Sequence, residues 1–276
     1  MDAPARNDME VEAEMRRAFE DYKDDFECAT LRRDNGILEV RLGTDGGEWV
    51  WGMKPHSELP YLWRAVGEDP DNRIVILTGT GENFSGPEAT PVTRSVGNSL
   101  DPMHWFTIMR EAKQMLMYEL DVDVPMIAAI NGPAYRHMEI PLLCDIVLAS
   151  EDAVFEDAAH VKHGNLAPGD GMNIILGLLM GINRARYLHF TGQRLTAQEA
   201  KEYGLVNEVL PKDKVLDRAW ELARQLAEKP DSLLRSSRMI VTNYLKREMF
   251  SVLPEHLLYE GLAQLDQSDP MRAAKD

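Results

Sequence analysis

Three short apolar runs constrain this chain more than any other feature: RIVILTG at residues 73–79, PMIAAI at 125–130 and DIVLA at 145–149. Each is the length of a strand, is rich in β-branched residues or alanine, and is apolar at consecutive positions. Such runs read as strands buried on both faces. Between them lie segments of helical pattern, at 57–66 and at 102–120. Strands interleaved with helices, followed by a mostly helical second half, give an α/β fold with a helical C-terminal region.

The remaining punctuation supports that order. Asn35-Gly36 is a turn signal, and ILEVRL at 37–42 alternates apolar and polar residues as a half-buried strand does. Residues 83–101 are rich in Gly, Pro, Ser and Thr and read as a loop. In the helix over 102–120, Trp105, Met109, Ala112 and Leu116 share one face, which reads as core. The chain turns helical again from Met172. Thr196 and Glu199 form a capping box for a helix ending near Gly204, and Pro211 opens another. A last helix over 231–249 leads into a helical segment through Leu265. Residues 1–25 form an acidic amphipathic arm, helical over about 9–22. With neither an internal repeat nor a Ser/Gly linker, the chain divides into this arm, a core at 26–210 and a helical region at 211–276.

Charge narrows the partners. The 276 residues hold 30 Lys and Arg against 46 Asp and Glu, a net charge of -16 spread along the chain. That field repels phosphate backbones and anionic lipid, which argues against nucleic-acid and membrane partners. No apolar run reaches the roughly 18–20 residues a spanning helix needs. The acidic N-terminus has no secretory pattern, and Cys28 and Cys144 suggest no disulfide framework, so a cytoplasmic protein is expected.

Four segments together resemble the crotonase (enoyl-CoA hydratase/isomerase) superfamily: RIVILTGTGENFSG at 73–86, PMIAAING at 125–132, CDIVLA at 144–149 and LTAQEAKEYGLVNEV at 195–209. The resemblance covers roughly residues 30–250. It implies a spiral of ββα turns, with C-terminal helices that drive assembly into trimers or dimers of trimers. It also implies an oxyanion hole of two backbone N–H groups that stabilises an enolate. One lies near Pro87 and Glu88; Pro87 has no N–H, which leaves Glu88 to donate and contact the substrate. The other belongs to a glycine-rich stretch after the Asn-Gly pair.

Here the chain departs from the commonest pattern. NGPAYRHMEIPLLCD at 131–145 places Arg136, His137 and Met138 where glycines are expected, and FEDAAHVKHGNLAPGDG at 155–171 puts His160 in place of a hydratase glutamate. The combination H-x-E-I-P, His160 and PGDG resembles 6-oxocamphor hydrolase and its β-diketone hydrolase relatives, which act on free diketones. His160 and Asp170 stand one residue further apart than in those relatives, implying an insertion within 161–167.

This resemblance implies a retro-Claisen hydrolase that needs no metal or organic cofactor, its partner being a small-molecule diketone. His160, paired with Asp170, activates water. His137 donates a ring N–H to a diketone oxygen. Glu260, in LLYEGLAQLD, holds a water or relays a proton. Trp51 and His56, in WVWGMKPHSEL, contact substrate, with Trp49 on the same face of an extended strand. The plain structural alternatives are a surface His160, an N-capping Asp170, a core His137, a helix-surface Glu260 and a loop His56. His163 is a loop residue or a substitute for His160. Two other functions stay open. One is a coenzyme A thioester hydratase or isomerase using Glu139, with Arg94 aiding binding; the other is a non-catalytic oligomeric scaffold.

Overall fold

The computed structural model describes residues 17–87, 101–162 and 166–267. Glu88, Arg94, His163 and most of the acidic arm lie outside the described residues.

The three apolar runs form the middle of a six-stranded sheet. Its strands are β1 (Ala29–Asp34), β2 (Ile37–Leu42), β3 (Ile74–Gly79), β4 (Met126–Ile130), β5 (Ile146–Ser150) and β8 (Glu208–Leu210), in the order β1-β2-β3-β4-β5-β8. β1 and β2 form an antiparallel hairpin; every later pairing is parallel. The hairpin turn is Asn35-Gly36, with φ of 50° and 79°. A tight two-residue hairpin needs the left-handed region at both positions, which Asn and Gly tolerate best.

Parallel strands require crossovers, and these build a second layer. After leaving each main strand the chain makes a short bridge to its neighbour: Val50 with Gly86, Ser85 with Ala134, and Ala134 with Phe155. The layer ends on β6 (Val154–Phe155), which pairs antiparallel with β7 (Leu195–Thr196). Helix α1 (Phe19–Tyr22) precedes the sheet. Helices α2 (Met53–Glu68), α3 (Pro102–Asp121) and α4 (Glu139–Leu142) each return the chain to the next main strand. The result is the expected spiral of ββα turns. Then follow α5 (Met172–Met180), α6 (Ile182–Thr191), α7 (Ala197–Tyr203), a 3₁₀ turn (Lys212–Lys214), α8 (Val215–Ala227) and α9 (Asp231–Gln267).

The middle of the sheet is buried on both faces, which is why β3, β4 and β5 are almost continuously apolar. Val75, Leu77, Ala128, Ile130, Val147 and Ala149 face the large core. Ile74, Ile76, Ile127, Ala129 and Leu148 face a smaller one completed by Ala219, Trp220 and Ala223 of α8. This corrects the reading of β2 as half-buried. Glu39 is only 5% exposed; it accepts from Trp220 Nε1 at 2.9 Å and from Arg41 Nη2 at 2.7 Å. A charged residue on a strand therefore did not mark a solvent face, because α8 covers it and supplies a donor.

Side chains cap two of the helices. Asp101 accepts from Met103 N at 3.0 Å ahead of Pro102. Thr196 and Glu199 form their capping box, and Gly204 ends α7 at φ 89°. Strand β1 is absent from the sequence reading. The two C-terminal helical segments prove to be one helix that runs through Pro254. Leu253 and Leu257 are buried on either side of that proline, so packing holds the helix together where it loses a backbone bond. Among the described residues, no helix is long and apolar enough to cross a membrane.

Helix α9 is fastened by Arg238, which is 2% exposed. It donates to Val122 O at 2.6 Å and Glu119 O at 3.2 Å, and it pairs with Asp145. Asp145 in turn accepts from Met126 N at 2.7 Å, so the link reaches the sheet. Arg238→Ala leaves this carboxylate and two carbonyls short of a donor. It is expected to cost about 3–5 kcal/mol in urea denaturation; a loss below about 1 kcal/mol would show that the helix is held by its apolar face alone.

Candidate active site

Because β2 to β5 run parallel, the segments leaving their C-terminal ends converge on one edge of the sheet, where open α/β sheets form their clefts. Trp51 and His56 follow β2, His137 follows β4, and His160 follows β5 and β6. Two hydrogen bonds fix the His137 segment in place: Ser85 Oγ donates to Arg136 O at 2.6 Å, and Arg136 Nε donates to Pro87 O at 3.0 Å. His137 itself has φ 49°, a left-handed conformation that glycine adopts easily and other residues seldom do.

The four residues expected to do chemistry come together. His160 Nε2 lies 3.5 Å from Asp170 Oδ2 and 3.7 Å from Glu260 Oε1, and His137 Nδ1 lies 3.5 Å from the same Asp170 oxygen. Asp170 thus stands between two imidazoles at the start of α5. The turn before it passes very close to α9. A Cβ on Gly169 would meet His256 O at 2.5 Å and Glu260 Cβ at 2.8 Å, so only glycine allows the approach that brings Glu260 to the cluster. His160 and Asp170 are 2% and 4% exposed, which sets aside the surface reading of His160, while Asp170 also accepts from Met172 N at 3.4 Å at the start of α5, as the capping alternative has it.

Two carboxylates behind the imidazoles change the expected pairing. Asp157 accepts from His160 N at 3.2 Å and contacts its Nδ1 at 2.7 Å, so Asp157, and not Asp170, holds the far side of that ring. The D-x-x-H spacing over Asp157–Ala158–Ala159–His160 was a legible sign that the sequence reading passed over. Glu139 opens α4 and contacts His137 Nδ1 at 2.6 Å, and it is fully buried behind that ring.

The aromatic wall is as expected, with one ambiguity removed. Trp51 lines the cavity, its ring tilted over His137 at a centroid distance of 3.5 Å, while Trp49 is buried behind it. His56 also lines the cavity, and Glu111 of α3 holds its Nδ1 at 3.0 Å while accepting from Ser57 Oγ at 2.9 Å. One expectation is corrected in part: Trp105 and Ala112, read as core, line the cavity beside Leu166 and Leu257, while Leu116 is buried in the core. The cavity is small, about 40 Å³.

Burial drives the electrostatics. It pushes Glu139 up to about 8 and Asp170 up to about 7, the positive field of His160 opposing the rise in both. Burial also lowers His137 to about 4, against the pull of Asp170. Burial lowers His160 too, but the carboxylates of Asp157 and Asp170 outweigh it and hold that ring well above the usual histidine range. Two histidines in one cavity therefore carry opposite biases: His137 neutral, His160 charged. Ligand atoms of His137, Glu139 and Asp170 lie within 4.8 Å of one another. Two ligands on a tetrahedral ion stand ~3.3 Å apart. The 2.6 Å contact between His137 and Glu139 is shorter, the length of a hydrogen bond.

A parallel-stranded ββα spiral with an acid–base cluster at its strand ends defines an enzyme of the crotonase type. Similarity to known proteins agrees. Residues 56–258 match the enoyl-CoA hydratase/isomerase family, and the chain belongs to it. It is 41% identical to a β-diketone hydrolase from the cyanobacterium Anabaena sp. PCC 7120, whose structure holds (S)-3-oxocyclohexyl acetic acid. That match covers 90% of this chain and 98% of the other, with a TM-score of 0.86. An enoyl-CoA hydratase/isomerase structure from Mycobacterium paratuberculosis is 25% identical, with a TM-score of 0.79 over 90% and 96% of the two chains. The (E)-benzylidenesuccinyl-CoA hydratase of Thauera aromatica is 30% identical over 83% of this chain and 88% of its own.

Asp170 holds its proton to a higher pH in the fold than its ordinary value of 3.8. A group raised in this way favours the fold at low pH and costs stability as pH rises through the interval, here from about 4 to about 7. Asp170→Asn is thus expected to gain on wild type across that interval, by on the order of 1 kcal/mol or more in chemical denaturation. A difference that stays flat or shrinks with rising pH would contradict the raised value.

Proposed function

We propose that this enzyme hydrolyses a carbon–carbon bond of a cyclic or bicyclic β-diketone by a retro-Claisen reaction. The observation that carries the reading is the placement of Asp170 between a neutral His137 and a charged His160 in one buried cavity. Retro-Claisen hydrolysis needs a proton acceptor for water, a donor for the enolate oxygen and a proton for the departing carbon. This cluster supplies all three.

In this reading the His160–Asp170 pair is the base. Asp170 Oδ2 stands 3.5 Å from the charged His160 ring, and Asp170 near 7 both takes and returns a proton close to neutral pH. Water attacks one carbonyl carbon while the pair accepts its proton. The tetrahedral intermediate then collapses, the C–C bond breaks, and its electron pair passes into the second carbonyl as an enolate. His137, with Trp51 beside it, holds the enolate oxygen. The pair, or Glu260 next to it, protonates the carbon to give a keto acid. The ligand of the Anabaena enzyme, (S)-3-oxocyclohexyl acetic acid, is itself a keto acid. Joining its carboxyl carbon to the ring carbon next to the ketone, on the side away from the acetic acid arm, gives a bicyclic β-diketone.

The hydratase names of other relatives favour thioester chemistry at Glu139 instead. That reading needs Glu139 on the cavity wall, whereas it lies behind His137 and bonds to it. In either case, exposed apolar residues such as Phe190 on α6 and Ile240 and Phe250 on α9 support assembly into trimers or dimers of trimers.

Purified protein without coenzyme A is expected to consume cyclic or bicyclic 1,3-diketones, seen as loss of enolate absorbance and as keto-acid mass. His160→Ala should lower kcat by about 10²–10⁴-fold. Hydration of an enoyl-CoA with no turnover of any diketone would overturn the reading.

A further inference from the structure

We propose that Glu139 is a positioning residue that donates its carboxyl proton to His137 Nδ1 and so holds that ring in the tautomer with its proton on Nε2. The 2.6 Å contact between Oε1 and Nδ1 contains one hydrogen, carried by one of the two groups. If Nδ1 carried it, the ring's second nitrogen would be an acceptor and could not donate to a substrate oxygen. If Glu139 carries it, Nε2–H is left free to donate.

The surroundings of Glu139 decide between the two. Its side chain is fully buried, and its second oxygen, Oε2, has no hydrogen-bond partner. An ionised carboxylate in that position would be desolvated with half of its charge unmatched. The titratable groups facing it are mostly acidic. Asp157, His160 and Asp170 come from the stretch between β6 and α5, and Glu260 comes from α9. Glu119 faces it from α3 and is itself fully buried, its carboxyl held well above the ordinary range. His160 is the one cation among them, and Asp157 lies on its Nδ1. Asp170 Oδ2 also faces His137 Nδ1, but at 3.5 Å it is almost an ångström further away than Glu139. The raised value of Glu139, about 8, and the lowered value of His137, about 4, agree with a neutral acid against a neutral ring.

The catalytic consequence rests on the hydrolase reading, while the tautomer does not. Below about 8 the Glu139 proton keeps Nε2–H available for the enolate oxygen. Above it the acid ionises, Nδ1 takes the proton to bond the carboxylate, and the donor is lost. This yields an alkaline fall in kcat that belongs to Glu139.

The test is nitrogen-15 histidine spectroscopy of the full chain, with His137→Asn to assign the signals. Near neutral pH wild type should show His137 protonated on Nε2 and bare on Nδ1, moving to the opposite tautomer above about 8. In Glu139→Gln, whose amide N–H also donates to Nδ1, the Nε2–H form should persist into alkaline pH. In kinetics with a diketone, E139A should lose about 10²–10³-fold in kcat with little change in KM. E139Q should recover most of that loss and remove the alkaline limb. Nδ1–H or a charged ring in wild type near neutral pH, or E139Q behaving like E139A, would overturn the proposal. If Nε2–H is seen but no diketone is turned over, the tautomer stands and the hydrolase reading fails.

Discussion

The parallel pairing of β2, β3, β4 and β5 is the constraint on which the rest of this molecule depends. Parallel neighbours cannot be joined by a tight turn, so every connection must leave one edge of the sheet and cross back to the other. Residues far apart in sequence therefore exit side by side: Trp51, Ser85, His137 and His160. The bridges Val50–Gly86, Ser85–Ala134 and Ala134–Phe155 then hold each exit within hydrogen-bonding distance of the next. Asp170 and Glu260 come from outside this ladder, and both depend on α9. Arg238 fastens that helix to the sheet, and Gly169 lets the turn before α5 lie against it.

The site that results is buried, and burial gives identical side chains different chemistry. In water His137 and His160 would titrate alike. Here both lose solvation, and only the disposition of carboxylates separates them. His160 meets Asp157 at 2.7 Å on one nitrogen, with Asp170 and Glu260 near the other. Those charges outweigh its desolvation. His137 has one close partner, Glu139, whose own burial keeps it from charging. The same logic places Asp170 near neutrality: burial drives it up while the His160 imidazolium limits the rise. Each group's state is thus set by its neighbours, and substitution at one position shifts the others.

Much of the architecture was legible because it follows from local rules. The apolar runs of β3, β4 and β5, the Asn35-Gly36 turn and the Thr196–Glu199 capping box carry their structure in their own residues. What escaped depends on distant partners. β1 carries no strand signal of its own until β2 lies beside it. Glu39 suggests a solvent face until α8 covers it with Trp220. Trp105 and Ala112 show the helical spacing of core residues, yet both line the cavity and Trp105 is only half-buried; periodicity cannot tell a core from the lining of a site. Among the candidate site residues, His137, His160, Asp170, Glu260, Trp51 and His56 rest on family resemblance, and the structure brings them together around one cavity. Asp157 is visible in its spacing to His160, but the resemblance points to Asp170 as the partner of that ring. Glu111, an ordinary acidic residue on an amphipathic helix, carried no signal for its bond to His56.

The backbone at His137 shows how this site differs from that of a typical relative. The resemblance places glycines in this stretch, and the chain keeps a glycine-like φ of 49° there while carrying a large side chain. A non-glycine residue in that region costs on the order of 1 kcal/mol, which the fold must recover elsewhere. Ser85 and Pro87 hold the neighbouring Arg136 from both sides, so the left-handed turn cannot relax without breaking those bonds. A glycine here offers substrate only its backbone N–H. An imidazole extends the donor into the cavity, stacks on Trp51 and couples to Glu139 behind it. In the proposed reading, the strain at one residue accompanies a change of donor, from a fixed amide to a ring whose proton position the buried acid controls.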